Sequence, residues 1–189
     1  TPLYSSAASD VYKRQVYSVP IGGGTPIKLN GALPSFRHVG SFELSADSST
    51  VVYEADVDTN DIDELYSVPI GGGTPTKLNG TLLSGDVFDF AVSPDSSTVV
   101  YLADQEMGVG SELYSVPVDG GTPTKVSEGR ALGSFLMNPD ASAVVYLASQ
   151  DLDPSFFELY ARITSDGPNA YSIEPVTPAP SQGGDIEFT

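Results

Sequence analysis

Along the chain, short apolar runs alternate with compact polar or glycine-rich turns, and no run keeps a helical period. The clearest run, Thr98-Val99-Val100-Tyr101-Leu102-Ala103, is apolar on successive residues, which predicts a strand buried on both faces. Residues 87–93, 112–118 and 122–127 give three companion runs, so one unit holds four strands, called A to D in order. Between A and B, Ser93-Pro94-Asp95-Ser96 suits a type I turn, because proline presets φ at the second position and Asp tolerates the third. Between C and D, Gly71-Gly72-Gly73 supplies the positive φ angles of a reversal.

The unit repeats. Tyr17-Ser18-Val19-Pro20 returns at Tyr66, at Tyr114 and more loosely at Tyr160, at intervals of 49, 48 and 46 residues. Alternating with it, the segment Phe42 to Tyr53 returns as Phe90 to Tyr101 and Phe135 to Tyr146, at intervals of 48 and 45. One open sheet would leave a face of each doubly apolar strand wet, whereas radial blades bury each sheet between two neighbours. The expected fold is therefore all-β: a β-propeller fragment of about three to four four-stranded blades, arranged as an open arc rather than a closed ring. The recurring aromatic positions 17, 42, 53, 66, 90, 101, 114, 135, 146 and 160 are read as core. Strand D, with Pro26, Pro75, Pro123 and Lys28, Lys77, Lys125, is read as a protected outer edge. Pro20, Pro69 and Pro117 in strand C are expected where pairing is ending.

Ser93-Pro94-Asp95-Ser96-Ser97-Thr98-Val99-Val100-Tyr101, followed by Glu112-Leu113-Tyr114-Ser115-Val116-Pro117, resembles the Pro-Asp, WD-like repeats of TolB-type propellers. The likeness spans residues 16–189. It departs from the pattern at Ser48, Ser96 and Ala141, where Gly usually follows Pro-Asp. The resemblance implies a periplasmic or extracellular module that binds protein partners, or a propeller that gates the active site of a prolyl-oligopeptidase-type serine peptidase.

Residues 1–15 have no counterpart in the repeat and are expected to be a non-native or unstructured leader, similar to a translated adapter sequence. The partial propeller occupies 16–189, with units at about 16–30, 40–79, 87–127 and 133–174. A further strand A is expected to start at 185–189, since Asp185 to Thr189 aligns with Asp89 to Ser93. Uncovered apolar blade faces at both ends would make the isolated fragment prone to self-association.

Charge narrows the partners. Twenty-five acidic residues against eight basic ones give a net charge of −17, which repels a phosphate backbone and argues against nucleic acid. No run reaches the roughly 18 apolar residues of a membrane helix, so membrane insertion is not expected. With no cysteine, thiolate metal sites and cysteine nucleophiles are excluded, and no cofactor is expected.

The A–B and C–D turns recur almost unchanged, while the B–C connections (56–63, 104–111, 149–156) and D–A connections (30–41, 79–87, 127–134) differ in every copy. Both variable sets emerge on one face of a propeller, where a protein or peptide partner is expected to bind. The candidate contacts are Arg37, His38, Asp58, Asp61, Glu106, Met107, Arg130, Asp151, Asp153 and Phe156. Asp56, Asp58 and Asn60 carry the alternating oxygens of a calcium loop. Asp61, however, stands where Gly makes its sharp turn, and Ser67 where its bidentate Glu belongs. No Gly-x-Ser-x-Gly elbow occurs and His38 is the single imidazole, so a serine triad is not encoded. The reading is a non-enzymatic binding scaffold, with the access-gating domain of a larger peptidase as the alternative.

Overall fold

The computed structural model describes residues 14–82, 85–106, 110–127, 130–149 and 158–163, with positions 132, 149 and 158–163 described by backbone alone. Among these residues every element is a strand and none is a helix. A two-residue hairpin comes first, β1 (Tyr17–Ser18) with β2 (Ile27–Lys28). The first full blade follows: β3 (Val39–Leu44), β4 (Thr50–Ala55), β5 (Glu64–Pro69) and β6 (Thr76–Lys77), paired antiparallel in chain order. The second repeats it as β7 (Val87–Val92), β8 (Thr98–Ala103), β9 (Glu112–Pro117) and β10 (Thr124–Lys125). A third sheet holds β11 (Arg130–Met137), β12 (Ala143–Ser149) and β13 (Glu158–Ile163). The expected arc of blades is the observed fold, and no sheet of the described residues closes a ring.

The B strands β4 and β8 each feed two cores, as their unbroken apolar runs require. In β8, Val99, Tyr101 and Ala103 pack toward the preceding blade with Val52, Leu65 and Leu78. Val100 and Leu102 point the other way and pack with Ala131, Phe135, Val144 and Tyr146 of the third sheet. A period-2 strand alternates its side chains, so a doubly apolar run is stable only between two apolar neighbours. The hairpin joins the first full blade in the same manner, through Val16 and Leu29 against Val51, Tyr53 and Val68.

The turns are closed by repeated side-chain chemistry. Ser48 N donates to Ser45 O at 2.8 Å, and Ser96 N to Ser93 O at 2.8 Å. Asp47 and Asp95 accept from the amides of Ser49 and Ser97, and Ser45 and Ser93 accept from those of Thr50 and Thr98. The third copy does the same with Asn138 and Asp140. Ser48, Ser96 and Ala141 sit at φ of 61°, 64° and 60°. These are the three positions where the repeat departs from glycine, and the left-handed conformation persists without it. The C–D turn does use glycine, and Gly120 (φ 94°) needs it twice: a Cβ there would also lie 2.6 Å from Thr76 Cγ2 of the neighbouring blade.

Prolines 69 and 117 end their strands, opposite Thr50 and Thr98, while strand D pairs only as far as Ser67 and Ser115. They stand where pairing is ending, as expected. Two aromatic expectations differ. Tyr17 and Phe42 are exposed, Phe42 by 66%, whereas its counterpart Phe135 is 8% exposed. Phe135 has β7 and β8 of the preceding blade beside it, but the hairpin before β3 contributes only strands C and D, leaving Phe42 nothing to lie against.

Candidate functional site

The B–C and D–A loops emerge together because strands A and C run away from that face and strand B returns to it. Backbone bonds lock neighbouring blades there: Val39 N donates to Arg14 O, Val87 N to Asp63 O and Ala131 N to Ser111 O, all at 2.8–2.9 Å. A Cβ on Gly85 would fall 2.4 Å from Asp104 Cβ, so the loop entering β7 presses directly on the B–C loop of its own blade.

Beneath the loops lies a charged cluster built into strands C and D. Glu64 and Tyr66 are two residues apart and share a face of β5, and Tyr66 pairs in register with Lys77. Tyr66 Oη donates to Glu64 Oε2 at 2.8 Å, and Lys77 Nζ donates to Glu64 Oε1 and, at 3.0 Å, to Asp58 Oδ2. The second blade repeats this: Tyr114 Oη donates to Glu112 at 2.6 Å, and Lys125 Nζ donates to Glu112 and, at 3.1 Å, to Glu106. Glu64 and Glu112 are buried. Burial disfavours the charged Lys77 and Lys125 amines, but hydrogen bonds to the carboxylates outweigh it and both pKa values rise. Burial likewise drives the Tyr66 and Tyr114 phenols up, reinforced by their bonds to Glu64 and Glu112.

Of the three lysines read as edge protection, Lys77 and Lys125 are therefore also latches that tie the B–C loop to the sheet, while Lys28 is exposed on β2. A repeated signal carried them: Asp58 and Glu106 each lie six residues before Glu-Leu-Tyr, and each lysine lies thirteen after that Glu. Sequence reasoning missed Glu64 and Glu112 as site residues because they look like ordinary strand starts. Over the first latch opens a shallow groove of about 440 Å³, lined by Asp58, Thr59, Glu64, Lys77, Asn79, Gly80, Thr81 and Leu82.

The predicted contacts fall into separate groups. Arg37 Nη1 reaches the carbonyls of Asp56 and Val57 at 3.3 and 3.5 Å, and His38 N donates to Asp56 Oδ1 at 2.8 Å, so Arg37, His38 and Asp56 form one knot. Asp58 and Glu106 are engaged by the two latches. Asp61 is exposed at φ 56° beside Asn60, and Arg130 is exposed at the start of β11. Met107, Asp151, Asp153 and Phe156 lie outside the described residues. Asp56, Asp58 and Asn60 thus have three different partners, and no group of three candidate metal ligands forms among the described residues.

Between the first and second full blades, Asp63 N donates to Asp86 Oδ1 at 2.9 Å, while Asp63 Oδ1 is buried with no hydrogen-bond partner among the described residues. Burial raises the Asp63 pKa, and the fields of Glu54, Asp86 and Asp56 raise it further against the pull of His38. Carboxylates outnumber cations on the described loop face, where Arg37, Lys77 and Lys125 are tied to loop or sheet oxygens and Arg130 is exposed.

No protein-family model and no curated protein matches the sequence. Solved structures do match. One is a protein described as TolB from Agrobacterium tumefaciens, 20% identical with a TM-score of 0.54, covering 86% of this chain and 55% of that one. The fold is that of a TolB-type β-propeller. The propeller domain of the trilobed protease from Pyrococcus furiosus matches at 13% identity and a TM-score of 0.57, over 76% of this chain and 43% of that one. The oligogalacturonate lyase of Vibrio parahaemolyticus matches at 17% and 0.55, over 87% and 45%. This propeller chain spans about half the length of the proteins it matches.

Proposed function

We propose that this propeller is a non-enzymatic scaffold whose B–C and D–A face docks a protein or peptide. One observation carries the reading: the latch under the loops is the same in successive blades, while the B–C loops it holds, equal in length, differ in sequence and the D–A loops beside them differ in both. A rigid, repeated frame presenting variable loops is the arrangement binding proteins use. Arg37, His38, Asp58, Asp61, Glu106 and Arg130 are the contacts within the described residues, with Met107, Asp151, Asp153 and Phe156 as further candidates. The excess of carboxylates favours a cationic segment. The likeness to TolB-type propellers supports a periplasmic or extracellular setting.

Peptides selected from a random displayed library against the intact chain test this. The double variant Asp61→Asn/Arg130→Ala should bind them at least about tenfold more weakly, a loss of about 1.4 kcal/mol. The control Asp119→Asn, in a C–D turn on the opposite face, should bind them as the parent does. Equal binding by all three proteins would rule out the face.

The likeness to a protease propeller domain supports a second reading, a domain that narrows access to a peptidase active site. A catalytic segment with a Gly-x-Ser-x-Gly elbow in the same reading frame would favour it over the scaffold.

A further inference from the structure

Three equivalent backbone bonds join neighbouring sheets beneath the loops: Arg14 O accepts from Val39 N, Asp63 O from Val87 N and Ser111 O from Ala131 N. The repeat thus presents one pair of positions three times, the accepting residue and the residue just before the donating amide. The pairs are Arg14 with His38, Asp63 with Asp86, and Ser111 with Arg130. Of these three, the pair between the two full blades is the one made of two carboxylates.

That pair is closely engaged. Val87 N donates to Asp63 O at 2.9 Å and Asp63 N donates to Asp86 Oδ1 at 2.9 Å, so the ends of the 56–63 and 79–87 loops clasp each other. Asp104 N donates to Asp86 O at 3.3 Å, which adds the next B–C loop to the joint. Asp63 Oδ1 is buried there with no hydrogen-bond partner among the described residues. The charged groups that face the Asp63 carboxylate are Glu54 of β4, His38 of the loop before β3, Asp86 of the loop before β7 and Asp56 of its own loop. Three of the four are carboxylates, and His38 Nδ1 has Asp56 Oδ1 at 3.9 Å. A carboxylate in that setting is both desolvated and repelled, and taking up a proton relieves both costs.

We propose that the Asp63–Asp86 clasp is a proton-controlled joint in the loop face, closed when Asp63 carries a proton and loosened when Asp63 is charged. Burial and the neighbouring carboxylates raise the Asp63 pKa above its ordinary 3.8. The proton therefore favours the closed joint fully below that ordinary value, and the effect is lost as pH rises through the higher, folded one. The clasp ties together the two loops that supply Asp58, Thr59, Gly80, Thr81 and Leu82 to the groove. Its consequence for binding rests on the loop face being a docking surface; the joint itself does not.

Amide hydrogen exchange of the intact chain, followed from acid to neutral pH without any partner and corrected for the intrinsic rate at each pH, tests the joint. Ala131 is the reference, because its amide makes the equivalent bond in the Ser111–Arg130 junction. Protection of the Val87 amide relative to that of Ala131 should fall roughly threefold or more as pH rises from the ordinary carboxylate range to neutrality. Asp63→Asn, uncharged at every pH, should hold the ratio at its acid value throughout. Asp86→Asn keeps the Oδ1 acceptor and removes the charge, so the fall should persist with its midpoint moved toward acid. A parent ratio that stays constant with pH, an equal fall in Asp63→Asn, or an unmoved midpoint in Asp86→Asn would each overturn the proposal, and the last decides alone if Asp63→Asn does not fold. With no partner present, a loop face that binds nothing would leave all of these results unchanged.

Discussion

Three side chains hold a conformation that their type disfavours. Ser48, Ser96 and Ala141 lie at φ near 60°, where an L-residue is strained by roughly 1–2 kcal/mol relative to glycine, part of which glycine gives back as unfolded-state entropy. Ala141→Gly should therefore raise stability by about 0.5–1 kcal/mol, read as an upward shift of the urea midpoint. A fall would mean the turn does not need the left-handed residue. The neighbouring carboxylates set the acid limb. Hydrogen bonds from Ser45 and Ser49 hold Asp47 below its ordinary 3.8, bonds from Ser93 and Ser97 do the same for Asp95, and those from Ser142 for Asp140. Their folded pKa values lie below the unfolded one, so this stabilisation is complete above the unfolded value and is lost as pH falls through the folded values. Asp63 has the opposite sign: its raised pKa means the charged form weakens the fold at neutral pH. Asp63→Asn should raise the melting midpoint at neutral pH and lose that advantage in acid below the ordinary carboxylate range, which thermal melts at two pH values would check. An equal effect at both would contradict the assignment.

At the scale of the strand and hairpin, equivalent positions differ by their neighbours. Phe135 and Phe42 share a place in the repeat, yet only Phe135 is covered. Phe135→Ala should cost about 3–4 kcal/mol, while Phe42→Ala, measured in dilute protein, should cost less than about 1. The latch offers a second case. Breaking a fully buried ion pair costs about 3–5 kcal/mol, and because Lys125 keeps 32% of its side chain exposed, Glu112→Ala should cost about 2–3. Urea unfolding decides both; a cost under about 1 kcal/mol for Glu112→Ala would mean the latch is solvated. Strand B was legible to the residue at 98–103, because its doubly apolar run admits one environment. Strand D, read over 122–127, shrinks to Thr124–Lys125, since Pro117 ends pairing on its partner. The bulges near the start of β3, β7 and β11 recur in all three; Gly40-Ser41 and Gly133-Ser134 mark two of them, but Phe88-Asp89 stands at the third, so they were only partly legible in sequence. The latch was half legible: its lysines and loop acids repeat, but the burial of Glu64 and Glu112 depends on a cross-strand register that sequence spacing does not display.

For the molecule as a whole, the repeat made the arc readable, because units that are apolar on both faces have no alternative to stacking. What the repeat could not supply is what the loops bind, since that depends on how unrelated loop sequences are juxtaposed by neighbouring blades. Stacking itself is open to direct measurement. In methyl-labelled protein, nuclear Overhauser contacts should connect Val52, Leu65 and Leu78 of the first full blade to Val99, Ala103 and Val116 of the second. Contacts confined to each sheet, with none passing between these two sets, would contradict the radial packing of blades.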